Sequence, residues 1–177
     1  MKMKKSYKEY LKDITTFIFD VDGVLTDGSV LVTTTGEMLR KMSVKDGYAL
    51  KVAIDKGYNI CIITGGTNEG VKKRLQGLGI TDFYMGSHHK IDALEEYLDI
   101  YGIDPKNVLY MGDDIPDVPP LKRVGVASCP QNAVPEVRAI CDYISHINGG
   151  SGCARDVIEQ VLKVRGDWMD NFDAANA

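Results

Sequence analysis

The stretch Thr15-Thr16-Phe17-Ile18-Phe19-Asp20-Val21-Asp22-Gly23 decides how the rest of the chain is read. Its first five residues are β-branched or aromatic and too few for a helix. Such a run, apolar on both faces, fits a central strand of a covered parallel sheet. Two further runs have the same character and the same kind of ending. Asn59-Ile60-Cys61-Ile62-Ile63 stops at Thr64-Gly65-Gly66, and Val108-Leu109-Tyr110-Met111 stops at Gly112-Asp113-Asp114.

Helical patterns lie between and beyond these strands, over about 46–56, 68–78, 90–101 and 156–164. Asn68 is a capping residue for a helix with Val71, Leu75 and Leu78 on one face, and Gly77 and Gly79 end it. Gly102 and Pro105 close the helix that carries Ile91, Leu94, Tyr97 and Leu98. The alternation predicts an α/β fold, a doubly wound and mostly parallel sheet with right-handed crossovers. One segment breaks the alternation. Residues 29–43 read as a β-hairpin turning at Thr33-Thr34-Thr35-Gly36, inserted after the first strand. Val30, Val32, Met38 and Met42 would make a free ribbon sticky, so the hairpin is expected to pack against another subunit.

The 177 residues amount to one domain, with residues 1–13 as a solvated N-terminal arm and 165–177 as a C-terminal tail. Apolar residues make up 44% and charged residues 26%, which excludes wholesale disorder. With 21 basic against 25 acidic residues the net charge is −4, the wrong balance for a nucleic-acid partner. No run approaches the ~18 apolar residues of a membrane span, and the basic start lacks the apolar core of a signal peptide. The four cysteines show neither C-x-x-C nor zinc spacing, so reduced thiols in a cytoplasm are expected. Glycine is the one surplus, 18 residues or about a tenth of the chain against a usual ~7%.

The strand ends deliver polar groups to one edge, where open α/β sheets bind ligands. Asp20 and Asp22 come from the first, Thr64, Gly65 and Gly66 from the second, and Asp113, Asp114 and Asp117 from the third. A single Asp-x-Asp is weak evidence, because aspartate is common in turns. Five carboxylates converging on one edge would repel one another unless a cation sat among them, and hard oxygen ligands point to Mg²⁺. Without these five, acids and bases in the chain are nearly balanced. Period-2 alternation is expected to set Asp20 and Asp22 on one side, one as a nucleophile and the other to move a proton. Thr64 and the Gly65 and Gly66 N–H groups suit phosphate oxygens, and Lys90 supplies a cation. Thr64-Gly65-Gly66 alone is most simply a turn and Lys90 alone a solvated charge; their order along the chain makes the case.

That order resembles the haloacid dehalogenase-like superfamily of phosphotransferases, over about 14–164. The matching segments are Phe19 to Gly28, Ile62-Ile63-Thr64-Gly65, Lys90, and Gly112-Asp113-Asp114-Ile115-Pro116-Asp117. The resemblance implies Asp20 as nucleophile and Asp22 as general acid/base. It implies Mg²⁺ held by Asp20, the Asp22 carbonyl and Asp113, with Asp114 and Asp117 in support, and phosphate held by Thr64, Gly65 and Lys90. More narrowly, the chain is similar to the capless branch typified by 3-deoxy-D-manno-octulosonate 8-phosphate phosphatase. The hairpin, Val44-Lys45-Asp46-Gly47-Tyr48 and Gly149-Gly150-Ser151-Gly152-Cys153-Ala154-Arg155 carry this likeness. The branch implies a homotetramer whose hairpins meet centrally and whose neighbours close each active site in place of a cap. It also implies a sugar-acid phosphate substrate contacted by Lys45, Asp46, Gly47, Gly66 and Arg74.

The chain departs from the pattern at Gly66, where arginine is usual and a nonulosonate 9-phosphate phosphatase has glutamate, at Lys45, where arginine is usual, and at His89, where an acid is common. A nine-carbon substrate is therefore the alternative, and an idle tetramerisation module a further one. A signalling receiver domain fits worse, because receivers lack an Asp-Asp-x-x-Asp cluster after the lysine. The Gly149–Gly152 stretch reads as a mobile closing segment or a flexible loop.

Overall fold

Thr16–Phe19 forms β1, wholly buried at the middle of a six-stranded parallel sheet in the computed structural model, which describes residues 6–168. The other strands are β4 (Asn59–Ile63), β5 (Asp82–Tyr84), β6 (Val108–Met111), β7 (Val126–Cys129) and β8 (Tyr143–Ile144). Their order across the sheet is β5-β4-β1-β6-β7-β8. Phe17 pairs with Ile60 on one side and Leu109 on the other, so the chain first winds one way from β1 and then returns to build the other half. The reversal beside β1 opens a crevice at the carboxyl end of that strand.

Period-2 alternation sorts the side chains into two cores. Phe17, Phe19, Ile60, Ile62, Leu109 and Met111 face helices α1 (Tyr7–Leu11), α2 (Val44–Asp55), α3 (Glu69–Gln76) and α7 (Cys153–Arg165). Ile18, Cys61, Ile63, Val108 and Tyr110 face α4 (Lys90–Tyr101), α5 (Val118–Leu121) and α6 (Pro135–Arg138). The three expected strands are present. Of the three unexpected ones β5 and β8 are short and only half-buried, so they carry little periodic signal, whereas β7 is as long and as buried as β1. Capped by Ser43, α2 begins two residues before the expected start, the Ser43 Oγ accepting the Lys45 N–H at 3.2 Å.

The reading of 1–13 as a solvated arm is corrected from Ser6 onward; residues 1–5 lie outside the described residues. Leu11 and Ile14 are buried, the Tyr7 ring lies 4.9 Å from that of Tyr143, and the Tyr7 hydroxyl donates to Gln160 at 3.0 Å. Tyr7 and Leu11 stand at i, i+4 on one face of α1, and Ile14 follows beyond its end; the intervening charges disguise them. At the other end Trp168 packs on the first core and Tyr58 donates to Asp167 at 2.6 Å; the rest of the expected tail, 169–177, lies outside the described residues.

The hairpin is the whole insertion between β1 and α2. Its ladder is short, β2 (Leu31–Val32) on β3 (Met38–Leu39), and a bridge between Thr26 and Met42 closes its base. Leu31 and Val32 are 68% and 64% exposed, and Val30, Met38 and Leu39 are exposed too. Met42 is different from the expectation: it packs on the chain's own core.

Candidate active site

The chain leaves β1 at Asp20 and turns at once through Val21–Leu25. Gly23 sits at φ 91°, where an L side chain is strained, and a Cβ there would lie 1.9 Å from Asp113 Oδ2. The buried Thr26 hydroxyl braces the turn by accepting the Gly23 and Gly28 N–H groups at 3.3 and 3.2 Å and donating to Asp22 Oδ1 at 3.4 Å. Asp20 and Asp22 therefore reach the same cleft through this turn, whereas strand alternation was the expected reason. The Gly149–Gly152 stretch is packed beneath the turn. Gly150 N–H donates to Val24 O at 2.9 Å, and a Cβ on Gly149 would strike Gly23 O at 1.9 Å. Within its own chain it is a strut under the Asp20–Asp22 turn and not a loose loop.

Lys90 opens α4 and is only 5% exposed. Its ammonium lies 2.9 Å from Asp20 Oδ2 and 2.7 Å from Asp117 Oδ1. Burial alone would pull the Lys90 pKa down, but the two carboxylates outweigh it and the pKa is raised. Asp117 is wholly buried and saturated with donors. Oδ1 accepts from Lys90 and, at 2.8 Å, from Tyr110 OH, and Oδ2 accepts the Asp113 and Asp114 N–H groups at 3.1 and 3.3 Å. Asp113 is the reverse case: its Oδ1 is buried with no hydrogen-bond partner among the described residues. Burial, followed by the charges of Asp20 and Asp117, pushes its pKa up to about 7. Burial and Asp117 likewise raise Asp20 to about 6 against the pull of Lys90.

Oxygens of Asp20, Asp113 and Asp117 lie within 4.8 Å of one another. Asp117 is committed to its four donors, so Asp20 and Asp113 are the carboxylates able to hold a cation. The orphaned Asp113 oxygen, the missing Cβ at Gly23 and the all-oxygen donor set fit a small hard divalent ion. Asp114 is exposed and caps the turn at 115–117 through the Ile115 N–H at 2.7 Å. Around these groups lies a cleft of about 390 Å³, which Thr64, Gly65, Gly66, Ser87 and His88 also line. The Thr64 hydroxyl accepts the Gly66 N–H at 3.1 Å, so that N–H, expected to meet phosphate, is already engaged.

Residues 79–156 match the family model of the haloacid dehalogenase-like hydrolases. The chain is also 37% identical over 155 residues to the 3-deoxy-D-manno-octulosonate 8-phosphate phosphatase KdsC of Salmonella typhi, covering 88% of this chain and 82% of that one. The chain belongs to this family of haloacid dehalogenase-like phosphatases. Solved structures agree. The Yersinia pestis 3-deoxy-D-manno-octulosonate 8-phosphate phosphatase superposes with a TM-score of 0.90 at 32% identity, over 93% of this chain and 89% of that one. The Moraxella catarrhalis enzyme, solved in complex with magnesium ion, phosphate ion and KDO, gives 0.88 at 33% identity, over 95% and 94%.

Within this haloacid dehalogenase-like fold, the expected substrate contacts divide. Gly66 lines the cleft, but Lys45, Asp46, Gly47 and Arg74 do not line that of their own chain. Lys45 borders another cavity beside Arg155 and Glu159, and Arg74 borders a third with Arg40 and Asn68. Gly47 is covered by Arg74, whose Nη2 lies 2.7 Å from where a Cβ would stand. Asp46 is a correction. It is buried and caps α7 from outside, Oδ1 accepting the Arg155 N–H at 2.8 Å, with Oδ2 unpartnered. Burial raises its pKa to about 6 despite those N–H bonds. Sequence reasoning also missed Tyr110, read only as strand filler, and Arg40, which donates to Asp22 from the end of the hairpin. His89 stands in solvent at the N-cap position of α4 without a side-chain cap bond, and His88 is the histidine at the cleft.

Proposed function

We propose that this chain is a Mg²⁺-dependent phosphomonoesterase that hydrolyses 3-deoxy-D-manno-octulosonate 8-phosphate through an aspartyl-phosphate. The observation that carries the reading is the Asp20 carboxylate at the end of β1, held by Lys90 and with an oxygen within 4.8 Å of one from Asp113, whose Oδ1 is left without a partner among the described residues. Asp20, Asp113 and the Asp22 backbone carbonyl would hold Mg²⁺, which neutralises phosphoryl charge when bound. Lys90 and the Thr64–Gly65 turn orient the phosphate. An Asp20 oxygen bonds to phosphorus as the bond to the sugar oxygen breaks, and Asp22 gives that oxygen its proton. Asp22 then takes a proton from a water that attacks the same phosphorus, and the Asp20–phosphorus bond breaks to release phosphate.

The active assembly is a homotetramer, built where exposed Val30, Leu31, Val32, Met38 and Leu39 meet their counterparts, with neighbouring subunits closing each cleft. Among the described residues no helix is long and apolar enough to cross a membrane, and all four cysteines are free, which supports a cytoplasmic enzyme. The test is phosphate release with Mg²⁺ from the eight-carbon acid phosphate and from a nine-carbon sialic-type 9-phosphate in parallel. The eight-carbon substrate is expected to be preferred, and Asp20→Asn to abolish turnover with the fold intact. Turnover by folded Asp20→Asn, or preference for the nine-carbon acid, would overturn the mechanism or the substrate respectively. Failure of the wild type to release phosphate from any ester would leave the tetramerisation module.

A further inference from the structure

Asp22, the proton donor of the proposed reaction, is held from outside the cleft. Arg40 follows β3 and reaches it with two parallel bonds, Nε to Oδ1 at 2.9 Å and Nη2 to Oδ2 at 3.2 Å. The guanidinium is itself anchored. Its Nη1 donates to the Met38 carbonyl at 3.0 Å, and Asn68, the cap of α3, donates to that same carbonyl at 2.9 Å. The Arg40 side chain is only 10% exposed. Both oxygens of a carboxylate that has to give and receive protons are thus taken by a permanently charged partner.

Gly66 and the cavity beyond the hairpin make this arrangement more than a structural ion pair. A Cβ on Gly66 would stand 3.4 Å from Asp22 Oδ2 and 3.9 Å from Arg40 Nη2, so this glycine leaves the clamp open toward the cleft. On its other side Arg40 lines a cavity of about 460 Å³ with Arg74, Asn68, Leu39 and Met42, and none of the described residues lining it is an acid. The guanidinium therefore stands between a cationic chamber, which it lines, and Asp22, which lines the phosphoryl cleft.

We propose that Arg40 is a substrate-released clamp, a positioning and specificity-determining residue that acts through Asp22. Without a carboxylate ligand it restrains Asp22. A sugar-acid carboxylate entering the cationic chamber takes over the guanidinium, and Asp22 is freed to transfer its proton. One bidentate carboxylate replaces another, so the guanidinium keeps its bonds and the exchange costs little. An alkyl phosphate lacking a carboxylate finds Asp22 still held. Selection against such esters then comes from the hairpin, in a fold that has no cap domain.

The inference rests on the phosphatase reading above, and the test separates the two. The full-length protein with saturating Mg²⁺ is assayed on 3-deoxy-D-manno-octulosonate 8-phosphate and on glucose 6-phosphate, an alkyl ester without a carboxylate. Wild type, Arg40→Gln and Arg40→Lys are compared. Arg40→Gln is expected to lower kcat/KM for the sugar-acid phosphate about tenfold or more and to raise kcat for glucose 6-phosphate several-fold. Arg40→Lys restores part of the former, because it keeps a charge while losing the fork. An equal fall on both esters, or an unchanged ratio, would overturn the clamp. Should Arg40→Gln lack a cooperative melt, the opposed changes are read from Arg40→Lys alone, smaller in size. A wild type inactive on the sugar-acid phosphate but active on glucose 6-phosphate would refute the substrate, while kcat on the second ester still tests the clamp.

Discussion

Asp117→Asn replaces one oxygen of a wholly buried carboxylate with an amide NH₂. The wild-type group accepts four hydrogen bonds, from Lys90 and Tyr110 on one oxygen and from the Asp113 and Asp114 N–H groups on the other. Whichever way the amide turns, two donors face a donor, and each buried bond so lost costs about 1–3 kcal/mol. The Lys90 ammonium also loses one of its two anionic neighbours, and breaking a buried pair costs about 3–5 kcal/mol. These overlap because Lys90 belongs to both, so the expected loss is about 3–5 kcal/mol in all. For a chain of this length that lowers the melting temperature by roughly 6–20 °C. Urea unfolding of both proteins in Mg²⁺ measures it. A second substitution fixes the cause: Tyr110→Phe removes one of the four donors, so it should cost less in the Asp117→Asn background than in the wild type. Asp117→Asn within about 1 kcal/mol of wild type, or full additivity with Tyr110→Phe, would refute the idea that Asp117 organises the site through saturated hydrogen bonds.

Three further outcomes are expected. Asp46→Asn keeps an acceptor for the Arg155 N–H and removes a buried acid whose pKa is about 6, so it should match or exceed wild-type stability near neutral pH, whereas Asp46→Ala loses about 1–2 kcal/mol in thermal or urea unfolding. Because burial raises Asp20 to about 6 and Asp113 to about 7, the folded metal-free protein holds protons that the unfolded chain has released; its stability therefore falls as pH rises through 6–7, and the Mg²⁺-induced gain in melting temperature should be larger near pH 8 than near pH 5, with equal gains contradicting the assignment. Leu31→Asp combined with Leu39→Asp, both exposed and paired across the hairpin, should reduce the mass seen by light scattering without lowering the cooperativity of unfolding; an unchanged mass would place the subunit contact elsewhere.

The central strands and the polar strand ends were legible because their signals are local. Phe17, Ile18 and Phe19 alternate between two cores whatever their neighbours are, and a buried parallel strand needs such a run. The order of Asp20, Asp22, Thr64, Lys90, Asp113 and Asp117 follows from the winding of the sheet, which brings successive strand ends to one edge. The helix α1 was hidden because it is five residues long and its inward face is only Tyr7 and Leu11 among charges. The edge strands β5 and β8 were hidden because they are three and two residues long and only half-buried.

The roles within the site divide in the same way. Composition and motif order determine that carboxylates gather around a cation-binding edge with a lysine beside them, because residue type and strand register are sufficient for that. They do not determine which carboxylate is saturated and which is left open. Asp117 and Asp113 look alike in the chain, yet one meets four donors and the other has an oxygen with none. Asp46 stands beside a lysine near the start of a helix, where a solvent-facing acid is unremarkable, but α7 arrives from more than a hundred residues away to take its oxygen as a cap. Arg40 is one cation among many until the hairpin folds back and lays its guanidinium on Asp22. Hydrogen bonds act over about 3 Å, so partners separated by tens of residues are assigned only when the chain has closed on itself. The sequence alone determined the fold and the class of chemistry; the tertiary structure decided which group binds, which supports and which restrains.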